Sequence, residues 1–282
     1  MKKHSLHSSF YPHIDSEDFT KVVKKLRLFF SDKGFLEVHT QNRLSILAAC
    51  EDPFNVRTYE YAGKVWPLPQ TGQMWLEHEL LNNPTAIGYH CLSTSYRAEK
   101  EPIEGRHCMI FPMFEFEFPG TMTDLAIVEQ ELLEYLGFKD VEIANYEDVC
   151  SKYGVDIIDS HIEGRMNNDG KDAIMLMNFP ERTNPFWNME RRDNGTAKKI
   201  DVILHGQETI GSAERSCDVE QMRKTFFSIE GGDYARKLFS LFSEQRVMEE
   251  LDEFLQNRFI PRVGGGIGIT RLIRAMKISK LI

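Results

Sequence analysis

Between Ser93 and Phe111 the chain reads STSYRAEKEPIEGRHCMIF. Arg97 and Glu99 precede a polar, turn-prone loop; Arg106 and His107 follow it and lead to Phe111. A guanidinium stays charged and matches two oxygens of a phosphate or carboxylate at once. Arg97 therefore suits an α-phosphate or a reacting carboxylate. Arg106 and His107 on the return arm suit outer phosphates, and the Phe111 ring offers a face to a purine. The same residues would also serve a surface hairpin with solvated charges and one core phenylalanine.

Two further stretches could work with it. In VGGGIGITR, residues 263–271, three consecutive glycines weaken a strand, so something must need close backbone approach there. Arg271 stands at the entry to a helix, where amide dipoles also favour an anion. The stretch has neither Walker lysine spacing nor the order of a dinucleotide fingerprint, and a glycine-rich core strand packed on a helix would read the same. In DVILHGQETIGSAER, Asp201 and Glu208 are seven apart and Arg215 is seven further on. A chain reversal between the two acids would let them hold Mg²⁺ on phosphates; without it they are two exposed turn acids.

The elements that must position these residues are visible in part. Phe19, Val22, Val23, Leu26, Phe29 and Phe30 recur at helical spacing, predicting a helix from about Glu17 to Phe30 capped by Asp15 or Ser16. GFLEVHT reads as a strand, FNVRTYEYAGKVWPL as a hairpin turning at AGK, and QTGQMWLEHELL as a turn entering a helix. AIGYHCLSTSYRAE and CMIFPMFEFEFPG are β-rich and should pair antiparallel. Thr123 is expected to cap a helix that Gly137 stops near Leu136. Residues 140–180 are mixed. KKIDVILHGQETIGSAERS reads as strand, turn, strand; helices should follow at about 217–229 and 233–257, and VGGGIGITRLIRAM as a strand feeding a helix. Strands pair locally with helices between them, which favours α+β with an antiparallel β-sheet flanked by helices.

The bulk properties narrow the classes. The 282 residues can bury a real core, and 41% hydrophobic with 27% charged residues is ordinary for an enzyme in water. A formal net charge of −9 argues against a protein that lives on phosphate-backbone contacts. Five cysteines without C-x-x-C spacing suggest reduced thiols and a cytoplasmic setting. The N-terminus lacks the apolar core of a signal peptide, and no apolar run nears the roughly 18 residues of a membrane span.

Taken together, the three stretches resemble the catalytic core of class II aminoacyl-tRNA synthetases. SYRAEKEPIEGRHCMIF is similar to the second signature motif of that class, and GGGIGITR to the third. The details resemble the aspartate/asparagine subgroup, and within it the asparagine enzymes. ACEDPFNV is similar to the subgroup's C-E-G-x-x-x-F-x-V, and QTGQMWLE to its S-G-Q-L-x-x-E. The resemblance runs from Phe19 to Met276 and is patchy over 140–180. It implies a class II synthetase-like core that uses ATP and Mg²⁺ and forms a homodimer. It implies Arg97 on the α-phosphate and amino-acid carboxylate, Glu99 on the adenosine side, and His107 and Arg271 on the outer phosphates. Phe111 and Arg271 would sandwich adenine, and Asp201 and Glu208 would hold the metal. Glu51 would receive the α-ammonium and Gln73 would also contact the amino acid; Arg215 would read its side chain, which Glu115 would face.

The subgroup's aspartate enzymes carry a lysine three residues after the glutamine equivalent to Gln73; here Leu76 stands there. Arg215 donating and Glu115 accepting fit a carboxamide. A substrate carboxylate would meet Glu115 as a like charge, a repulsion of roughly 4 kcal/mol at contact with an effective dielectric near 20. Asparagine is therefore favoured over aspartate. The departures point away from tRNA. The stretch before Phe19 leaves no room for an anticodon-reading barrel, so a single catalytic domain over 1–282 is expected. Gln41 stands where the first motif has its dimer-forming proline. Tyr96, Ile110 and Thr270 replace a phenylalanine and two glutamates of the motifs, and Thr270 makes the end similar to ammonia-dependent asparagine synthetase. The resulting expectation is an AMP-forming ligase that activates asparagine and passes it to a non-tRNA acceptor. Asparagine synthesis from aspartate, ATP and ammonia, a non-catalytic amino-acid or nucleotide sensor and, last, a minimal tRNA-charging enzyme are the alternatives.

Overall fold

The structure is a computed structural model and describes residues 13–40, 43–48 and 51–282. Gln41 and Cys50 lie outside the described residues. Helix α1 (Ser16–Asp32) begins where Asp15 accepts from the backbone N–H groups of Glu17 and Asp18 at 2.9 and 3.0 Å, a side-chain cap for donors that have no helical partner. Its buried stripe is Val22, Val23, Leu26, Phe29 and Phe30. GFLEVHT yields only the two-residue strand β1 (Leu36–Glu37). A separate hairpin, β2 (Thr58–Tyr61) and β3 (Lys64–Pro67), turns through Ala62 and Gly63, both at positive φ. Helix α2 (Gln73–Asn82) leads to β4 (Tyr89–Tyr96), which pairs antiparallel with β5 (Ile110–Pro119) from Tyr89↔Glu117 to Tyr96↔Ile110.

Helix α3 (Met122–Leu136) starts two residues earlier than the sequence suggested. Its cap is Thr121, whose backbone N–H donates to Asp124 at 2.8 Å; Thr123 lies inside the first turn. Gly137 ends it at φ 105°, a left-handed conformation that suits glycine. The mixed region resolves into β6 (Glu142–Asn145), α4 (Tyr146–Tyr153), α5 (Ser160–Asn168) and β7 (Ala173–Pro180). Strands β8 (Thr196–Leu204) and β9 (Gln207–Arg215) form the expected hairpin, turning at His205 and Gly206. Helix α6 (Val219–Ser228) follows. The single helix expected over 233–257 is two, α7 (Asp233–Phe242) and α8 (Glu244–Leu255), broken where Ser243 takes φ 71°. The chain ends in β10 (Arg262–Gly268) and α9 (Ile269–Ile278).

The order β1-β4-β5-β10-β9-β8-β7-β6 makes one eight-stranded sheet. Its inner pairs are antiparallel, but β1 runs parallel to β4 and β6 parallel to β7. The fold is α+β with a mixed sheet, which corrects the expectation of an antiparallel one. The parallel edge pairs arise because α2 and α4–α5 intervene and return the chain in the same direction. Side chains alternate across the sheet. Phe114, Phe116 and Phe118 of β5, Ile200 and Val202 of β8, and Val263 and Ile267 of β10 pack with α1, α3 and α9 in one apolar core. The intervening residues, Met113, Glu115 and Glu117 on β5 and Lys199 and Asp201 on β8, belong to the opposite face. A second apolar cluster joins α6, α7 and α8 to Trp75 and Trp187.

Candidate active site

On that opposite face a cleft of about 310 Å³ opens over β5, β10 and β9. Segments far apart in the chain line it: Glu51, Gln73, Arg97, Glu99, Arg106, His107, Phe111, Glu115, Glu208, Arg215 and Arg271 all do so. Of the residues singled out in the sequence only Asp201 sits behind the lining.

The β4–β5 hairpin continues past its strands, Arg97 N–H donating to Met109 O at 2.8 Å. That contact fixes the root of the Arg97 side chain. Its Nη2 donates to Glu51 at 2.9 Å, while Nε is a buried donor with no partner among the described residues. Burial works against its charge, but Glu51, Glu208, Glu99 and Asp52 outweigh that and hold it more firmly protonated than usual. Glu99 accepts from Asn55 Nδ2 at 2.9 Å. His107 Nδ1 accepts from the Ile103 N–H at 3.1 Å, so a neutral ring carries its proton on Nε2. Burial lowers the pKa of His107, with Glu99 opposing. Arg106 is less free than its place in the loop suggests. Its guanidinium is tied to Glu163 and to Gly206 O, which staples the loop to α5 and the β8–β9 turn.

Arg271, in the first turn of α9, donates to the Glu208 carbonyl at 2.6 Å and forms no salt bridge among the described residues. Glu208 is further fixed by its own N–H, which donates to Glu163 at 3.0 Å. Glu208 and Asp201 converge over Gly211: a Cβ placed there would lie 3.0 Å from Glu208 Oε1 and 3.6 Å from Asp201 Oδ1. The reversal needed to bring the two acids together is therefore present. Asp201 Oδ2 is held by the Lys199 ammonium, whereas Oδ1 is buried without a partner. Burial pushes Asp201 up to about 7, with Lys199 opposing and Glu208 adding to the rise.

Beneath one end of the cleft lies a buried ionic network. Arg215 donates to Glu117 at 3.2 and 3.1 Å through Nε and Nη2. Glu77, fully buried, accepts from Arg262 Nε at 2.8 Å, Asn188 Nδ2 at 2.8 Å and Gln73 Nε2 at 2.7 Å. Burial opposes its charge, but Arg262 and Arg215 outweigh it and lower its pKa. With one amide N–H of Gln73 donating to Glu77, its second N–H and its carbonyl oxygen remain for a ligand. Glu115 is also buried. Thr71 Oγ1, the Gly72 N–H and Ser93 Oγ all donate to it, the last at 2.6 Å. Burial raises its pKa against those three donors.

The glycine run has a local cause. A Cβ at Gly264 would lie 1.9 Å from Glu117 Oε2, and one at Gly266 2.8 Å from Met113 Sδ. What needs the room is the charged floor of the cleft, packed against β10. Sequence reading missed Glu77, Glu117, Glu163 and Lys199. Lys199 had a signal, being two residues from Asp201 on a strand and so on its face. Glu77 closed a motif without suggesting a task. Glu163 lies in the mixed region and gave none.

The fold is that of a class II tRNA synthetase core. The chain matches the family of tRNA synthetases class II (D, K and N) over residues 17–282 and belongs to it. Among solved structures it is similar to asparaginyl-tRNA synthetase from Pyrococcus horikoshii complexed with asparaginyl-adenylate, with TM-score 0.74 at 18% identity, covering 92% of this chain and 64% of that one. It is also similar to Entamoeba histolytica asparaginyl-tRNA synthetase in complex with asparaginyl-adenylate, with TM-score 0.71 at 16% identity, covering 94% and 65%. A third, aspartyl-tRNA synthetase from Entamoeba histolytica, gives TM-score 0.69 at 17% identity, covering 92% and 54%. This chain thus spans less than two thirds of the length of each. No curated protein matches it in sequence. No helix among the described residues is long and apolar enough to cross a membrane.

Proposed function

We propose that this chain is an AMP-forming ligase that activates an amino acid, asparagine in preference to aspartate, and passes the acyl group to an acceptor other than tRNA. The observation that carries the reading is the convergence of Arg97, Arg271 and Glu208 on one cleft. The amino-acid carboxylate oxygen attacks the α-phosphorus of ATP; the bond to the β-phosphate oxygen breaks, and pyrophosphate leaves with that electron pair. No proton has to move, so the residues contribute position and charge. Arg97 neutralises the entering carboxylate and the α-phosphate; its unpartnered Nε is a donor awaiting an oxygen. The half-exposed Arg97–Glu51 pair matches a zwitterion, with Glu51 taking the ammonium. Separating such a pair costs only about 0–1 kcal/mol. Gln73 adds its carbonyl oxygen, Phe111 and the Arg271 stem enclose adenine, and Glu99 serves its ribose side. His107 Nε2–H and Arg271 meet the outer phosphates, and Arg106, paired with Glu163, lines the same cleft beside them.

The residues present fit a divalent ion: Asp201 Oδ1 is an orphaned buried acceptor next to Glu208 Oε1. Bound there, Mg²⁺ would supply further charge neutralisation on the phosphates. Asparagine is favoured because the side-chain end of the cleft is already anionic. Arg215 and Arg262 are already committed to Glu77 and Glu117, and Glu115, held by Thr71, Gly72 and Ser93 with no basic partner among the described residues, would meet a substrate carboxylate as a like charge.

The test is ATP–pyrophosphate exchange with asparagine and aspartate side by side, each with and without ammonia. Exchange with asparagine supports the reading. AMP release only with aspartate plus ammonia would replace it by asparagine synthesis, a reading that Thr270 in the cleft lining also suits. Ligand binding with no AMP formed would make the chain a sensor. A homodimer and a cytoplasmic setting accompany the proposal.

A further inference from the structure

Lys199 is a side chain the chemistry above does not use. It lies inside β8, two strands from the centre of the sheet, and its side chain is 21% exposed. Lysines so placed are rare unless paired. Its ammonium sits 3.9 Å from the centroid of the Phe179 ring and bonds to Asp201 Oδ2. An ammonium carries three donors, yet among the described residues Asp201 is its only hydrogen-bond acceptor. The ring takes one side, and Lys199 also lines the cleft that holds Glu208 and Arg271. The cluster Lys199–Asp201–Glu208 has one cation for two acids, so it keeps a carboxylate oxygen for a metal while presenting a fixed positive charge beside it.

We propose that Lys199 is a resident cation of the triphosphate site. It donates directly to an outer phosphate oxygen of the nucleotide and supplies charge that would otherwise have to come from a divalent ion. This rests on the proposed nucleotide-binding reading and deepens it. The lysine does not exclude the ion at Asp201 Oδ1 and Glu208; it lessens the dependence on it. The aromatic face and Asp201 hold the ammonium in place before any ligand arrives, so little side-chain freedom is lost on binding.

The test is calorimetric titration of the full chain with ATP, in EDTA and in excess Mg²⁺, for wild type, Lys199→Met and Lys199→Arg. Wild type is expected to bind ATP in EDTA within about tenfold of its affinity in Mg²⁺. Lys199→Met should lose about tenfold or more in EDTA and much less in Mg²⁺, while Lys199→Arg, which keeps the charge, should stay near wild type. Equal metal-free affinity of wild type and Lys199→Met would overturn the proposal and leave Lys199 a partner of Asp201 alone. So would wild type that binds ATP in Mg²⁺ but not in EDTA, a result that stands even if Lys199→Met fails to fold. Absence of ATP binding by wild type in either condition would instead overturn the nucleotide-binding reading, and this inference with it.

Discussion

Arg97 joins both halves of the proposed reaction, touching Glu51 on the amino-acid side and keeping a buried, unpartnered Nε. Preorganised donors at a developing charge contribute heavily, so Arg97→Ala should lower exchange by roughly 10²–10³-fold. Arg97→Lys should recover little, because an ammonium cannot reproduce the fork; full activity in either variant would remove Arg97 from the chemistry. In the proposed reaction Glu115 is a specificity residue of a different kind. Three neighbours hold its carboxylate, so its position is set without substrate. Glu115→Gln should reduce exchange with asparagine about tenfold or more and narrow its advantage over aspartate, because the like-charge repulsion goes. The ratio of the two exchange rates measures this, and an unchanged ratio would show that Glu115 does not read the side chain.

At the scale of elements, the glycine-rich strand β10 makes a distinct prediction. Gly264→Ala would put a methyl 1.9 Å from Glu117 Oε2 and 2.3 Å from the Phe116 carbonyl. Backbone and a paired carboxylate cannot both yield, so the substitution should destabilise the protein by about 1–3 kcal/mol. Gly164→Ala is the contrast: it lies within α5 with nothing within 4 Å, and should stabilise by about 0.4–1 kcal/mol. Urea midpoints would separate the two; equal shifts would contradict the packing account. The strand–turn–strand β8–β9 and the β4–β5 hairpin were legible because alternation and a turn signal agree. The strand in GFLEVHT was legible too, but not its shortness, because β1 is held by one parallel neighbour and not by a ladder of its own. The break at Ser243 was hidden for a related reason, since apolar spacing continues across it and only the backbone angle marks it.

For the whole molecule, motifs made the cleft legible and topology made its floor opaque. Arg97, Glu208 and Arg271 carry recognisable spacing. The carboxylates that tension the floor, Glu77 and Glu117, meet Arg215 and Arg262 only after β5, β9, β10 and α2 have come together. The same burial leaves a mark on stability. Glu129 of α3 is fully buried, and burial pushes its pKa up to about 8, with Ser212 opposing and Asp201 adding to the rise. Above an ordinary pKa of 4.5 the unfolded chain ionises while the folded one keeps its proton. Stability should therefore fall as pH rises towards about 8, by roughly 1.4 kcal/mol per unit. Glu129→Gln should remove that slope, so its gain over wild type should be about 2–3 kcal/mol larger at pH 8 than at pH 6. Denaturant midpoints at the two pH values would show it; parallel curves would mean that Glu129 is solvated or paired.

The arrangement of the nucleotide itself is the most direct measure of the account. A crystal structure of the protein with a non-hydrolysable ATP analogue should place a folded-back triphosphate in the cleft, its α-phosphate against Arg97 and its terminal phosphate against Arg271 and His107. Nucleotide bound elsewhere on the molecule, or an extended triphosphate that leaves Arg97 paired only with Glu51, would contradict it.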